Sequence, residues 1–150
     1  MPNINRLKIY AMEHKGYVGR LHCVASYYKL NMDMLKQDVQ RDLFYTGNPI
    51  YTKVKDAAPV KYGENASVHN SLLANGSRID GEVSDSILFR RVYVGGGSVL
   101  KNCIIMQDAH IDQNCVLENV ILDKAVYISN GKKLIGDTNF PVIIRKNSMI

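Results

Sequence analysis

The sequence lacks long apolar runs, and this absence removes several classes of protein. No stretch of about 18 consecutive apolar residues is present, so no membrane span is predicted. The first ten residues, MPNINRLKIY, also lack the apolar core of a signal peptide. Both absences favour a cytoplasmic protein without a membrane partner.

Cysteine is scarce as well. The three cysteines, Cys23, Cys103 and Cys115, are odd in number and form no CxxC pair. Neither a disulfide framework nor a cysteine zinc site is therefore predicted. We expect the thiols to be reduced, and Cys103 and Cys115 to pack at small positions of the repeat described below.

Runs of basic residues with interleaved aromatic residues are also missing, so no nucleic-acid partner is predicted. The net charge is +5. Residues 1–65 hold ten Lys or Arg against six Asp or Glu, whereas residues 66–150 hold nine against eight. This modest surplus suits small anions such as phosphates or nucleotides better than a long polyanion.

What the sequence does contain is a repeat. Four similar tetrads share one pattern and are spaced by 15, 17 and 17 residues: NSLL at 70–73, DSIL at 85–88, NCII at 102–105 and NVIL at 119–122. Six residues after the last aliphatic residue of each tetrad stands another aliphatic residue: Ile79, Val94, Ile111 and Ile128. Two positions before each of these is a small or β-branched residue: Ser77, Val92, Ala109 and Val126.

An aliphatic residue every six positions, with a full cycle near 17, fits neither a helix nor a hairpin. It predicts a solenoid of hexapeptide repeats, in which three short strands close each triangular coil and the aliphatic residues point inward. A second column, Leu72, Ile87, Ile104 and Ile121, flanks the inner one. These residues either face outward or line a subunit contact, and we leave both possibilities open.

Three consecutive glycines, Gly95–Gly97, follow the aliphatic residue Val94, as at the start of some phosphate-binding loops. Such a loop needs a helix directly after it, but the residues that follow here, SVLKNCII, read as strand and turn. In the repeat the triplet aligns with Asp80, Gly81 and Glu82, which are typical turn residues. We predict a coil corner. Asn70, Asp85, Asn102 and Asn119 are predicted to form a stacked ladder at another corner.

The first 65 residues do not contain this repeat. Strands are predicted at residues 6–12 and 16–21, followed by a helix over 24–39 and a linker containing two prolines over 46–66. About forty residues of strand, strand and helix cannot bury a core of their own. We expect this region to pack on the solenoid or to belong to a larger domain.

The segment GYVGRLHCVASYYKLNMDML resembles the end of the catalytic domain of glucose-1-phosphate adenylyltransferases, where the pattern is Gly-Tyr-Trp-x-Asp-Ile-Gly-Thr-Ile followed by Ser-Tyr. NPIYT, AAPVKY and the repeat continue the resemblance along nearly the whole chain. It implies a mainly β fold: residues 1–45 as the last strands and helix of an α/β nucleotidyltransferase domain, 46–66 as linker, and 67–150 as a left-handed parallel β-helix of about five coils.

The resemblance also implies a role. Family members make ADP-glucose from ATP and glucose 1-phosphate with Mg²⁺, and their nucleotide loop and glucose-binding motifs would precede residue 1 here. The family's metal-binding Asp falls on Arg20, its Trp on Val18, its Gly on His22 and its Thr on Cys23. Arg is a permanent cation that cannot ligate a metal. The resemblance therefore implies a C-terminal assembly and regulatory region without a catalytic residue or cofactor of its own, in a homo-oligomer or paired with a catalytic adenylyltransferase subunit.

Two sets of residues are further candidates. Effector phosphates in the family lie near the β-helix, which makes Arg90, Arg91, Lys101 and Lys124 possible phosphate ligands, although a solvated basic face is the simpler interpretation. His110 shares a column with Arg78, Tyr93 and Tyr127 and would be the general base if the chain were a trimeric hexapeptide-repeat acyltransferase. His69 and His110 have no third histidine in the repeat, so no metal site is predicted.

Overall fold

The computed structural model describes residues 8, 10–45, 47, 50–52 and 55–150. Two helices are followed by a three-sided parallel β-solenoid. Within the described ranges no helix is long and apolar enough to cross a membrane. Part of the strand predicted for residues 6–12, namely residues 6, 7 and 9, lies outside the described residues.

The helical region contains two helices where one was predicted over 24–39. Helix α1 spans Val24–Asp33 and helix α2 spans Gln37–Phe44. Cys23 caps α1 by accepting the Ser26 N–H, while the Ser26 hydroxyl oxygen accepts the Cys23 N–H. The prediction was wrong at residues 34–36, because Lys36 adopts an extended conformation (φ −82°, ψ 127°) and starts α2.

The strand predicted over residues 16–21 is also absent from the structure. The residues there belong to none of the three sheets that the described residues form, and Gly16 lies in a bend with φ +138°. A strand requires a hydrogen-bonded neighbour, and this segment has none in the described part of the chain. The prediction of a strand at residues 16–21 was therefore wrong.

Fifteen strands, numbered in chain order, form three parallel five-stranded sheets. The first sheet contains β1 (Lys61–Tyr62), β4 (Arg78–Ile79), β7 (Tyr93–Val94), β10 (His110–Ile111) and β13 (Tyr127–Ile128). The second contains β2 (Ser67–His69), β5 (Glu82–Ser84), β8 (Val99–Lys101), β11 (Val116–Glu118) and β14 (Lys133–Ile135). The third contains β3 (Leu72–Leu73), β6 (Ile87–Leu88), β9 (Ile104–Ile105), β12 (Val120–Leu122) and β15 (Val142–Ile144). Each coil contributes one strand to every sheet, and β1 starts within the range predicted as linker.

The inner columns of the solenoid are confirmed. The predicted inward residues from Ile79 onward are at most 1% exposed: Ile79, Leu88, Val94, Ile105, Ile111, Leu122 and Ile128. The small positions are equally buried, including Ser77, Ala109, Cys103 and Cys115. A third inward column from the second sheet, Val83, Leu100 and Leu117, completes the core and was not predicted. Its members stand five residues before the last aliphatic residue of their tetrads, which is a periodic signal that the sequence does carry.

The glycine triplet is a coil corner, as predicted, with no helix after it. Gly97 has φ +71°, and a Cβ at Gly95 would lie 2.7 Å from the Asp112 carbonyl carbon. The predicted alignment of Gly97 with Glu82 was wrong, because Glu82 pairs with Val99. The corner between β4 and β5 has two residues where the corner between β7 and β8 has four, which accounts for the tetrad spacing of 15 instead of 17.

The last coil is longer than the others. Residues 136–141 form a loop between β14 and β15, yet Ile143 still pairs with Ile121 and Ile144 with Leu122. The loop carries Phe140, which is 82% exposed. Extra residues at a corner thus leave the strand register intact. At the equivalent corner of the other coils, Asn70, Asp85, Asn102 and Asn119 all have positive φ, in agreement with the predicted ladder.

Candidate functional site

Arg20 lies in the segment that leads into α1, and the residue is exposed. The backbone carbonyl oxygen of Arg20 lies 3.3 Å from His22 Nδ1. The capping hydrogen bonds between Cys23 and Ser26 follow directly. The position that the resemblance assigns to a metal ligand therefore presents a guanidinium to solvent at the start of a helix.

Two carboxylates hold the neighbouring residues in place. Asp33 accepts hydrogen bonds from the Tyr17 hydroxyl at 3.0 Å and from Lys36 Nζ at 2.6 Å. The hydrogen bond from Lys36 is the main reason that the pKa of Asp33 is lowered. Asp42 accepts the backbone N–H of Tyr17. Both acids therefore have a structural role, because they hold Tyr17 against the two helices.

These residues do not fit a magnesium ion. Mg²⁺ prefers oxygen ligands such as carboxylates, and residue 20 offers a cation instead. Asp33 and Asp42 are engaged by protein donors. The described residues contain no group of three or more His, Cys, Asp or Glu side chains that could hold a metal ion. We therefore assign no metal-dependent step to this region.

The four basic residues named above do not converge on one site. Arg91 Nε and Nη2 donate to Asp108 of the next coil at 2.6 and 2.9 Å. Lys101 lies on the second sheet, with its Nζ 3.8 Å from Glu118. Arg90 lies next to Arg91 at the corner between β6 and β7, and Lys124 occupies the equivalent position two coils later. The carbonyl of Arg90 accepts from the Asp108 N–H, and that of Lys124 accepts from the Asn147 N–H. Arg90 lines a concave surface, together with Lys55, Ala74, Asn75 and Phe89.

His110 belongs to an aromatic stack on the outer face of the first sheet. Its ring lies between Tyr93 and Tyr127, with ring centroids 4.6 and 4.9 Å away. The Arg78 guanidinium caps the stack 5.8 Å above the Tyr93 ring. The described cavities do not include His110 among their lining residues. This arrangement gives the imidazole a packing role along the solenoid.

Helix α1 lies on the outer face of the third sheet. Tyr28 packs against Ile104 and Ile121, with Tyr27 and Met32 beside it. The outward column left open above is therefore partly covered by the chain's own helix. Ile87, Ile104 and Ile121 are at most 8% exposed, whereas Leu72 at one end is 39% exposed.

Tyr28 also makes the polar contact that joins the helix to the solenoid. Its hydroxyl donates to the Asn102 carbonyl at 2.7 Å and lies 3.2 Å from Asn119 Oδ1. The Asn119 side chain continues through its Nδ2 to the Gly136 carbonyl at 3.0 Å. Burial raises the pKa of Tyr28 to about 12, so the hydroxyl stays protonated as a donor. The sequence did not indicate this contact, because the second aliphatic column was compatible both with an outward-facing position and with a subunit contact.

A cleft of about 560 Å³ lies where the start of α1 meets the last coils. Its apolar lining comes from both parts of the chain: Leu21, Val24, Tyr27, Met106, Ile121 and Ile143. Asp123 also lines the cleft. The pKa of Tyr27 is raised mainly because its side chain is partly buried, and the negative charge of Asp123 raises it further. This apolar cleft is open to solvent and contains no charged pair.

The geometry defines a hexapeptide-repeat β-helix with a helical segment docked on one face. Residues 56–139 match the model of the GlmU-like C-terminal hexapeptide family, and the chain belongs to that family. The hexapeptide solenoid predicted from the repeat, and the left-handed β-helix that the resemblance implies, are thereby confirmed.

The chain is also similar to two kinds of known protein. Glycogen biosynthesis protein GlgD of Bacillus subtilis is 44% identical over 140 residues, covering 93% of this chain and 41% of the relative. GlgD of Geobacillus stearothermophilus is 49% identical over 70 residues, covering 47% of this chain and 20% of the relative. Glucose-1-phosphate adenylyltransferase of Desulfitobacterium hafniense is 33% identical over 115 residues, covering 77% of this chain and 29% of the relative. The recognised relationship to the C-terminal part of this enzyme family is confirmed, and the chain spans less than half the length of these relatives.

Proposed function

We propose that the chain is the C-terminal assembly and regulatory region of a cytoplasmic adenylyltransferase-type subunit that is itself non-catalytic. A role associated with glycogen biosynthesis rests on the similarity to GlgD and to glucose-1-phosphate adenylyltransferases. The parent protein would take part in forming ADP-glucose from ATP and glucose 1-phosphate alongside a catalytic subunit.

Arg20 is the observation that carries the non-catalytic part of this proposal. Phosphoryl-type transfer depends on Mg²⁺ to neutralise charge that develops on the phosphates. Replacing a carboxylate ligand by a guanidinium removes one metal ligand and places a cation nearby, and both changes oppose metal binding. An exposed guanidinium can still contact a phosphate directly, so the proposal allows nucleotide binding without turnover.

Assembly is proposed to proceed through the solenoid, as a homo-oligomer or with a catalytic subunit. The middle of the apolar column on the third sheet is occupied by α1, so that part is not a subunit contact. Exposed aliphatic side chains remain at Leu72 on the third sheet and at Val99 and Ile135 on the second. These positions are where substitutions should first be tested for an effect on assembly.

A regulatory phosphate is proposed to bind near Arg90, which lines a concave surface together with Lys55. Lys55 lies beside Arg90, and both basic side chains help to lower the pKa of Asp108 after the dominant contact from Arg91. Arg91 and Lys101 are less suited to this role, because each has an acidic neighbour. Arg90→Gln should therefore weaken effector binding more than Arg91→Gln or Lys101→Gln.

The test of the non-catalytic role is an activity measurement on the longer parent protein, purified without any catalytic partner. We expect no ADP-glucose formation from ATP and glucose 1-phosphate. The Arg20→Asp variant should recover metal-dependent nucleotide binding more readily than turnover. Robust turnover by the unmodified parent would show that the proposed role is wrong.

A further inference from the structure

The outer face of the second sheet exposes aliphatic and charged side chains together. Each of its strands β5, β8 and β11 has one buried residue between two that point outward. Because the strands pair residue by residue, the outward side chains form two rows. The first row contains Ser67, Glu82, Val99, Val116 and Lys133, and the second row contains His69, Ser84, Lys101, Glu118 and Ile135.

The charges in these rows are placed symmetrically, with opposite signs. Lys101 on β8 and Glu118 on β11 are neighbours in the second row, with Nζ and Oε1 3.8 Å apart. Glu82 on β5 and Lys133 on β14 lie one strand further out in the first row, and neither forms an ion pair among the described residues. Each of these four charges therefore has a charge of opposite sign at the same distance from a line drawn between β8 and β11.

We infer that this face binds a second copy of the chain about a two-fold axis that runs along the strands between β8 and β11. This rotation reverses the order of the coils but keeps each row opposite itself, so β8 faces β11 and β5 faces β14. Lys101 of one copy then faces Glu118 of the other, and Glu82 faces Lys133. The symmetry forms each of these two ion pairs twice.

The centre of the contact is apolar. Val99, which is 37% exposed, faces Val116 on both sides of the axis, and Ile135, which is 51% exposed, closes the contact at either end. Burial of these aliphatic groups favours association. The Lys101–Glu118 pairs of the two copies form a cluster of four alternating charges, and such a network stabilises more than an isolated surface pair does.

Two other two-fold arrangements fit the charges less well. An axis parallel to the solenoid would place the first row on the second, so that Val99 faces Lys101 and Val116 faces Glu118. An axis through β8 would place Lys101 on Lys101, and like charges in contact oppose association. The charge pattern therefore selects both the orientation and the register of the second copy. A self-complementary pattern also favours a second copy over an unrelated protein, whose surface need not match it.

The contact is small. Four overlapping strands of three residues cover roughly 20 by 10 Å, which is below the area of a typical stable interface. We expect the chain of 150 residues to form a weak dimer, with a Kd on the order of 100 µM. The inference rests on the proposed assembly role and specifies its face and its partner. In a larger oligomer this contact would act together with others.

Sedimentation of charge variants over a range of concentrations tests the inference. Lys101→Glu would place carboxylates opposite each other across the axis, and Glu118→Lys would place ammonium groups opposite each other. Each variant alone should raise the dimer Kd at least about tenfold. An equimolar mixture of the two variants should dimerise with a Kd within about threefold of that of the unmodified chain, because every carboxylate then faces an ammonium group.

Two controls separate association from folding. Lys61→Glu makes the same change of charge at an exposed residue of the first sheet and should leave the Kd within about twofold. The double variant with Lys101→Glu and Glu118→Lys exchanges the pair within one chain and should dimerise as the unmodified chain does. Recovery in the mixture of single variants rules out misfolding as the cause of their defect, because mixing restores no contact within a chain.

A chain that stays monomeric up to about 1 mM would overturn the inference, and so would dimerisation that no variant on this face changes. Dimerisation strengthened by mixing Lys101→Glu with the unmodified chain would place the axis on β8 and overturn the inferred register. A monomer that binds a catalytic adenylyltransferase subunit through Lys101 would assign the face to that subunit and overturn the inference as well. None of these measurements depends on ADP-glucose formation, so failure of this inference is distinguishable from failure of the proposed non-catalytic role.

Discussion

The solenoid and the helical segment before it are held together in different ways. In the solenoid, equivalent residues of successive coils pair strand by strand, and the core contains fully buried side chains in every coil from β4 to β13. In the described part of the helical segment, only Tyr28, Asp33 and Val39 are buried. The solenoid derives its stability from its own repetition, whereas the helices depend on the surface they lie against.

Breaking the solenoid core should have the largest effect. Ile111→Asp places an unpaired carboxylate at a fully buried position and should reduce the free energy of unfolding by about 3–5 kcal/mol. Chemical denaturation would measure the loss. Ile111→Val should cost only about 0.5–1.5 kcal/mol. The exposed change His69→Ala should stay within about 0.5 kcal/mol, and a cost similar to that of Ile111→Asp would contradict the inward register.

The short corner provides a second test, with two glycines as a matched pair. A Cβ at Gly81 would lie 2.4 Å from the Ser98 carbonyl oxygen, whereas a Cβ at Gly96 would have its nearest neighbour at 3.9 Å. Gly81→Ala should therefore cost about 1–3 kcal/mol through overpacking. Gly96→Ala should be close to neutral, because its Cβ meets ordinary contacts. Thermal melts of both variants check this, and the reverse order would refute the corner geometry.

The helical segment should be sensitive to the loss of the hydrogen bonds that the Tyr28 hydroxyl makes with the solenoid. Tyr28→Phe removes the hydrogen bonds to Asn102 and Asn119 and should weaken the docking of α1 by about 1 kcal/mol. Hydrogen exchange should become faster in α1 and stay unchanged in the solenoid. Tyr62→Phe, at a residue 54% exposed in the first coil, is the control. Uniformly faster exchange across both regions would mean that the two do not open independently.

Acid should have the smallest effect, and it should be confined to the helical segment. The lowered pKa of Asp33 means that its contacts with Lys36 and Tyr17 stabilise the fold above the pKa of an unfolded Asp, near 4. That contribution is lost as the pH falls through the folded pKa. Asp33→Asn should reduce the pH dependence of α1 exchange between pH 6 and about pH 3. A pH dependence unchanged by the substitution would show that another group is responsible.

The two regions also differ in how far sequence could predict them. The inward columns were predictable because each residue is repeated at a constant spacing, so Ile105 and Ile111 support the assignment of Leu122 and Ile128. The predicted alignment was wrong at Glu82, which pairs with Val99. One corner of that coil is two residues shorter than the others, and the repeat spacing alone does not show which corner it is. Tyr28 has no repeat to mark it, since its partners Asn102 and Asn119 lie 74 and 91 residues away.

The candidate site shows the same limit. Arg20 could be singled out only because a family resemblance assigns its position, and nothing in its contacts marks it otherwise. The basic residues Arg90, Arg91, Lys101 and Lys124 have similar chemistry, but their separation depends on which face and corner each occupies. The number of basic residues can be read from a sequence, but whether their side chains lie close enough to form one site depends on the folded coils.

The corners of the solenoid allow its length to change without altering its strands. The corner at residues 80–81 is two residues shorter than its neighbours, and the loop at 136–141 is longer, yet the pairing on either side is kept. Insertions and deletions at corners are therefore nearly neutral events for the fold, while a single inserted residue within a strand would reverse its inward and outward faces. Evolution and protein engineering can attach new binding loops to this scaffold at its corners, one coil at a time.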